Sequence, residues 1–246
     1  MQLQARKLPI AIKDQLGGEF RKLQEMGVIC QVDEPTEWVS SLVVTRKSYS
    51  ILRICIDPKP LNLALMRSHY PLPVVEDILQ KVANATVFSV CDVRNGFWHV
   101  PLEEQSSQLT TFATPFGRFL WKRLPCVISP APELFQRRLE VALGNLRGIN
   151  VIADEILIHG EGDCMEEALR DYDQCLIALL ERCRAWNIQL NQDKFRFHLS
   201  EVRYAGHLFT STGLRVDLNK VIAVEEMPTP SNKASVHRLL GMVNYL

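Results

Sequence analysis

The segment Val87-Phe88-Ser89-Val90-Cys91-Asp92 ends an apolar run on a carboxylate, and Ile152-Ala153-Asp154-Glu155-Ile156-Leu157-Ile158 sets two more inside a second apolar run. Val87 to Val93 reads as a strand, and alternation puts Phe88, Val90 and Asp92 on one face. Asp154-Glu155 fit the tight turn of a hairpin, where neighbouring side chains need not point to opposite faces. A buried carboxylate is unfavourable unless it is paired or metal-bound. If the two segments lie on neighbouring strands, three carboxylates converge on one spot and can hold two magnesium ions for in-line phosphoryl displacement. The bare pattern equally allows Asp92 to cap a local turn and Asp154-Glu155 to form an exposed hairpin tip.

Around these segments the periodicity alternates between helix and strand. Ile12 to Met26 places Leu16, Phe20 and Leu23 on one helical stripe and stops at Gly27. Val39 to Arg46 and Ile51 to Ile56 suggest a hairpin, and Asp57-Pro58-Lys59-Pro60 breaks the chain. A helix is expected around Val75 to Val82. A strand pair over Leu109 to Pro115 and Arg118 to Leu124 turns at Gly117, and a helix follows over Pro132 to Leu146. Glu166 to Arg184 carries Leu169, Tyr172, Leu176, Leu179 and Leu180 on one stripe. Ile188 to Leu190, Lys194 to Phe197 and Tyr204 to Phe209 read as short strands. Pro228 and Pro230 mark a linker before a last helix near Ser235. The order predicts an α+β fold whose mostly antiparallel sheet is backed by helices on one face.

With 246 residues, 47% hydrophobic and 23% charged, the chain has the make-up of an ordinary globular protein able to bury a real core. No apolar run reaches the length of a membrane span, and Met1 to Ile10 lacks the apolar stretch of a secretory signal. The seven cysteines form no C-x-x-C pair, which argues against a disulfide framework or zinc site and for a reducing compartment, cytoplasmic or nuclear. The formal net charge is zero, so affinity for a phosphate backbone would have to come from local clusters such as Arg118 with Lys122-Arg123.

The two acidic segments, with Gly96-Phe97-Trp98-His99-Val100-Pro101-Leu102 after the first, resemble the carboxylate motifs of gypsy-type retroelement reverse transcriptases. Further blocks follow in that family's order: Glu34 to Ser41, Leu52 to Pro58, His69 to Pro73, Thr110 to Phe112, Thr114 to Arg118, Ala131 to Glu133 and Leu240 to Leu246. The resemblance implies the fingers and palm of a right-hand polymerase, with most of the thumb missing. Residues 1–85 would form the N-terminal segment and fingers, 86–107 the first palm strand, and 108–130 the fingers return with the nucleotide and template loop. Residues 131–210 would complete the palm, and 211–246 would begin the thumb or connection.

It also implies roles at matching positions. Asp92, Asp154 and Glu155 would be catalytic carboxylates holding Mg2+, two ions, with Mn2+ as a substitute. Lys194 would protonate the leaving pyrophosphate. Lys47 and Arg53 would hold the triphosphate, Phe97 would exclude a ribose 2′-hydroxyl, and Cys126 and Val127 would lie in the loop under the nucleotide. Tyr204, Gly206 and His207 would belong to a primer-grip-like hairpin. The partners implied are an RNA or DNA template with its primer and deoxynucleoside triphosphates, with no membrane.

Four departures from the family pattern are visible. Glu155 stands for the second Asp, Cys126-Val127 for Phe-Gly, Tyr49-Ser50 for an Asn-Gly turn, and Ala205 for a Leu. Glu155 shifts its oxygens by a methylene, and Val127 is unfavourable if that backbone needs positive φ. Two functions are therefore expected in competition: an RNA-directed DNA polymerase impaired by these changes, or an inactive remnant that at most binds nucleic acid or a partner protein. The protease, ribonuclease H and integrase of the parent polyprotein have no counterpart in these residues, so none of their activities is expected.

Overall fold

The computed structural model describes residues 12–46, 52–67, 69–215 and 218–243. In chain order the first half contains α1 (Lys13–Glu25), β1 (Ile29–Val32), β2 (Ser40–Arg46), β3 (Leu52–Ile56), α2 (Lys59–Ala64), α3 (Val75–Lys81) and β4 (Ala85–Asp92). A 3-10 turn at Gly96–His99 leads to α4 (Glu104–Leu109), β5 (Phe112–Thr114), β6 (Gly117–Trp121) and α5 (Ala131–Leu143). Then come β7 (Ile149–Ile152), β8 (Glu155–Glu161), α6 (Met165–Ala185) and a 3-10 turn at Gln192–Lys194. The remainder is β9 (Arg196–Leu199), β10 (Glu201–Tyr204), β11 (His207–Thr210), β12 (Gly213–Arg215), α7 (Leu218–Glu225) and α8 (Lys233–Val243). The chain divides into two compact units, Met1–Leu72 with Asn95–Val141, and Pro73–Arg94 with Ala142–Leu246.

The first unit is built on a five-stranded sheet, β1-β6-β5-β2-β3, antiparallel except where β2 meets β5. Leu16, Phe20 and Leu23 of α1 are buried as their spacing predicts, and the Phe20 ring packs 4.8 Å from Phe119 and 6.1 Å from Phe112. The β2–β3 hairpin pairs Arg46 with Leu52, and its tip, including Lys47 and Tyr49-Ser50, lies outside the described residues. The strand pair turning at Gly117 is present, and two boundaries differ from expectation. Residues 104–109 form α4, leaving only Phe112–Thr114 as strand, and α2 begins directly after Pro58. Pro60 falls in the first turn of α2, where no N–H is required, so the prolines start a helix rather than simply break the chain.

The second unit centres on a four-stranded antiparallel sheet, β7-β8-β4-β9. β4 lies between β8 and β9 and is buried on both faces, which explains its nearly continuous apolar sequence. One face receives α6 through Ala168, Tyr172, Cys175, Leu179 and Cys183, and the Tyr172 hydroxyl shares a 2.7 Å hydrogen bond with Ser89 Oγ. The approach is close because Gly160 has no side chain: a Cβ there would collide with the Ala168 carbonyl and the Tyr172 backbone. The other face presents Phe88, Val90 and Leu157 to Ile78 of α3 and to Val202, Tyr204 and Phe209. Each such burial is worth roughly 1.5–3 kcal/mol. This second cover extends the expected plan, because Tyr204 to Phe209 is not one strand. It is the turn of the β10–β11 hairpin, part of a three-stranded sheet completed by β12.

Candidate active site

Strand pairing brings the acidic residues together. Asp92, the last residue of β4, is the register partner of Glu155, the first residue of β8. Register partners share a face, so both side chains leave the sheet on the side of Phe88, Val90 and Leu157. The ladder continues one step further, where the Val93 N–H donates to the Asp154 carbonyl at 2.8 Å. From the other side, the Asn191 N–H donates to the Asp92 carbonyl at 2.8 Å. The Asp92 backbone is thus fixed from both neighbours, and the residue is only 9% exposed.

Ala153 and Asp154 form the two-residue turn between β7 and β8, since Ile152 pairs with Glu155. Only Ala153 of the two has positive φ (53°), the pattern of a II′ turn, in which glycine is the usual first residue. Asp154 is exposed at the tip. Asp92 is therefore not a turn cap, while the second alternative, an exposed tip, describes Asp154 but not half-buried Glu155.

Lys194 completes the cluster. The 3-10 turn Gln192–Lys194 precedes the edge strand β9, and the Lys194 ammonium donates a hydrogen bond to Asp92 Oδ2. Asp92, first as hydrogen-bond acceptor and then as a charge, holds the Lys194 pKa above the ordinary lysine range, with Asp154 and Glu155 adding. All three carboxylates therefore act on one cationic position.

Glu155 makes a contact that its sequence did not foretell. Its Oε2 accepts the Ala205 N–H at 2.8 Å. Ala205 (φ 47°) and Gly206 (φ 80°) form the two-residue turn between Tyr204 and His207, and positive φ at both positions is the I′ pattern. Ala205 in the left-handed region costs about 1–2 kcal/mol relative to glycine-like freedom. Tyr204 is buried against Phe209, with ring centroids 5.9 Å apart, and burial with the Glu155 charge pushes its hydroxyl pKa up. Tyr204 is thus a core residue of this hairpin, and Gly206 and half-buried His207 form its turn and exit.

Among the described residues, no three His, Cys, Asp or Glu side chains form a group that could hold a metal ion. The three acids do not stand as one chelating set. The oxygen chemistry of Asp92 and Asp154 nevertheless fits Mg2+, which binds through one or two carboxylates, keeping waters and taking the remaining oxygens from a phosphate substrate.

The remaining candidates lie in the first unit. Arg53 is exposed on β3 and shares its face with Cys55. Phe97 is half-buried in the turn Gly96–His99, its ring centroid 5.0 Å from that of Phe135, and a Cβ on Gly96 would meet the Phe135 ring at 2.5 Å. Val127 is not among the positive-φ residues, so the expected backbone strain is absent. Its carbonyl accepts from Asn62 Nδ2 at 3.3 Å, while Asn62 Oδ1 accepts the Ser129 N–H at 2.8 Å, pinning the loop to α2. Cys126 is exposed, and its thiol is held below the ordinary range by a hydrogen bond from Cys55, with Arg53 adding. The scattered cysteines gave no sign of this pairing, since 71 positions separate the two in sequence (126 − 55).

Residues 45–209 match the reverse transcriptase (RNA-dependent DNA polymerase) family, and the chain belongs to it. Among curated relatives, it is 30% identical over 78% of its length to the retrovirus-related Pol polyprotein from transposon 412 of Drosophila melanogaster. It is 28% identical over 81% of its length to the Tf2-3 polyprotein of Schizosaccharomyces pombe. The chain spans only 15% of either relative. The fold matches a foamy viral protease-reverse transcriptase solved with double-stranded DNA, at TM-score 0.84 and 20% identity over 100% of this chain and 41% of that one. It also matches the foamy viral enzyme solved with an RNA/DNA hybrid, at TM-score 0.79 and 20% identity over 99% of this chain and 32% of that one. The right-hand fingers-and-palm fold implied by the carboxylate motifs is thus the fold observed. No helix among the described residues is long and apolar enough to cross a membrane.

Proposed function

We propose that this chain is the polymerase core of a retroelement, extending a primer on an RNA or DNA template with deoxynucleoside triphosphates. The observation that carries the proposal is the β4–β8 register, which sets Asp92 beside Asp154-Glu155 with Lys194 among them. Asp92 and Asp154 would hold the divalent metal, Mg2+ with Mn2+ as a substitute. When bound, the metal supplies charge stabilisation and a more acidic primer hydroxyl. The primer 3′-hydroxyl gives up its proton to solvent and its oxygen forms the bond to the α-phosphorus as the bond to pyrophosphate breaks, while Lys194 donates a proton to that leaving group. Arg53 and Lys47 would bind the triphosphate, Phe97 would crowd a ribose 2′-hydroxyl, and Cys126-Val127 would line the loop beneath the nucleotide; these roles rest on the family resemblance. The Tyr204-to-His207 turn would support the primer terminus. The free thiols suit a reducing compartment, cytoplasm or nucleus.

Primer extension on an RNA template with Mg2+ or Mn2+ tests this reading. Metal-dependent incorporation of deoxynucleotides, lost in Asp92→Asn, is expected. Salt-dependent primer–template binding without incorporation in either metal would replace it with the binding-remnant reading.

A further inference from the structure

We propose that Glu155 is a positioning residue, a strut between the acidic hairpin and the β10–β11 turn, and not a third metal ligand. In a two-residue hairpin the amides of the central residues lie outside the ladder, so the Ala205 N–H needs a partner from elsewhere. Ala205 packs partly buried against the core cluster of Phe88, Tyr204 and Phe209, which limits what water can supply. Glu155 Oε2 meets this N–H at 2.8 Å, a charge-assisted bond.

Geometry then favours Glu over Asp at position 155. Residue 155 is pinned at its backbone by pairing with both Ile152 and Asp92. An Asp fixed there would end about 1.5 Å shorter and lose the amide. The same contact commits one of the Glu155 oxygens to the turn. The substitution that looks like decay of a metal site is, on this account, a link between two turns, each of which holds an alanine at positive φ. The bond would fix the primer-grip-like turn relative to Asp154, which bears on polymerisation only if the proposed function holds.

Two variants separate the strut from a ligand. Glu155→Gln keeps the length and an acceptor oxygen but removes the charge; Glu155→Asp keeps the charge but not the reach. Amide exchange of Ala205, followed by NMR in the intact chain, should be slow in the wild type, faster by less than about threefold in Glu155→Gln, and faster by tenfold or more in Glu155→Asp. Mn2+ binding followed by water-proton relaxation should weaken less than threefold in Glu155→Gln, against tenfold or more in Asp154→Asn. Unprotected Ala205 in the wild type, equal exchange in Asp and wild type, or Mn2+ affinity kept by Asp and lost by Gln would each overturn the strut. A wild type that protects Ala205 yet never extends a primer would sink the polymerase reading and leave the strut standing.

Discussion

The Lys194 ammonium is hydrogen-bonded to the Asp92 carboxylate, joining the 3-10 turn before the edge strand to the end of the central strand. The Lys194 side chain is 55% exposed, so the pair contributes at most about 1 kcal/mol to stability. Activity and stability should therefore separate in Asp92→Asn. Thermal unfolding should report a loss within about 1 kcal/mol. Primer extension by the same protein should fall by on the order of 100-fold or more, beyond the usual effect of changing an outer partner of a metal site. A large stability loss would make Asp92 a structural residue instead.

His159 makes the stability of the second unit depend on pH. It is buried on β8, its Nδ1 has no hydrogen-bond partner, and Glu161 Oε1 lies 3.7 Å away, beyond hydrogen-bonding distance. Desolvation, with the Arg147 charge adding, lowers its pKa to about 4. In the unfolded chain the value is about 6.5. Between the two, the unfolded chain binds a proton that the folded chain refuses, so stability falls as pH drops through that window and loses nothing more from this group below it. The expected loss is about 1–2 kcal/mol by about pH 5. Denaturant unfolding from pH 7.5 to pH 5 should show this slope, and His159→Gln should flatten it.

Gly160 tests the contact between sheet and helix. Adding a methyl there drives Cβ into the Ala168 carbonyl and the Tyr172 backbone, which are fixed by α6. Gly160→Ala should destabilise the protein by about 2–3 kcal/mol, the scale of overpacking in a tight interior. Denaturant melting checks this, and an unchanged midpoint would mean that α6 is free to move outward.

Cys126 should be the reactive thiol. It is exposed, and Cys55 with Arg53 favours its thiolate. Cys164 is also exposed, with no such neighbours among the contacts described. At neutral pH, iodoacetamide should label Cys126 at least several-fold faster than Cys164 by peptide mass spectrometry, because the thiolate is the nucleophile. Arg53→Ala should narrow the difference.

The acid site was legible because its chemistry is local: Asp92 on an apolar strand and Asp154-Glu155 inside an apolar hairpin are incongruous wherever they occur. Alternation correctly put Asp92 on the face of Phe88 and Val90, and helical spacing found α1 and α6, but the buried stripe of α6 runs through Ala168, Tyr172, Cys175, Leu179 and Cys183, while the expected Leu180 is exposed and Leu169 and Leu176 are only half-buried. The misses were matters of tertiary context. α4 has no counterpart in the expected elements beyond Leu109, because Glu104 to Leu109 is too short for periodicity to decide, and α2 is hidden by prolines that suit a first helical turn. The Glu155–Ala205 bond and the Cys55–Cys126 contact join residues 50 and 71 positions apart (205 − 155 and 126 − 55), and composition carries no trace of such pairings. Val127 needs no positive φ, because the glycine of the family pattern says nothing of the backbone this residue adopts here.

The central claim is that Asp92 and Asp154 together hold a divalent cation beside the reacting phosphate. Electron paramagnetic resonance of free Mn2+, titrated into the protein with a chain-terminated primer–template and a deoxynucleoside triphosphate, measures this directly. Mn2+ should be bound by the wild-type protein and released, by tenfold or more in affinity, in both Asp92→Asn and Asp154→Asn. Equal binding in the wild type and both variants, or none in the wild type, would contradict the claim.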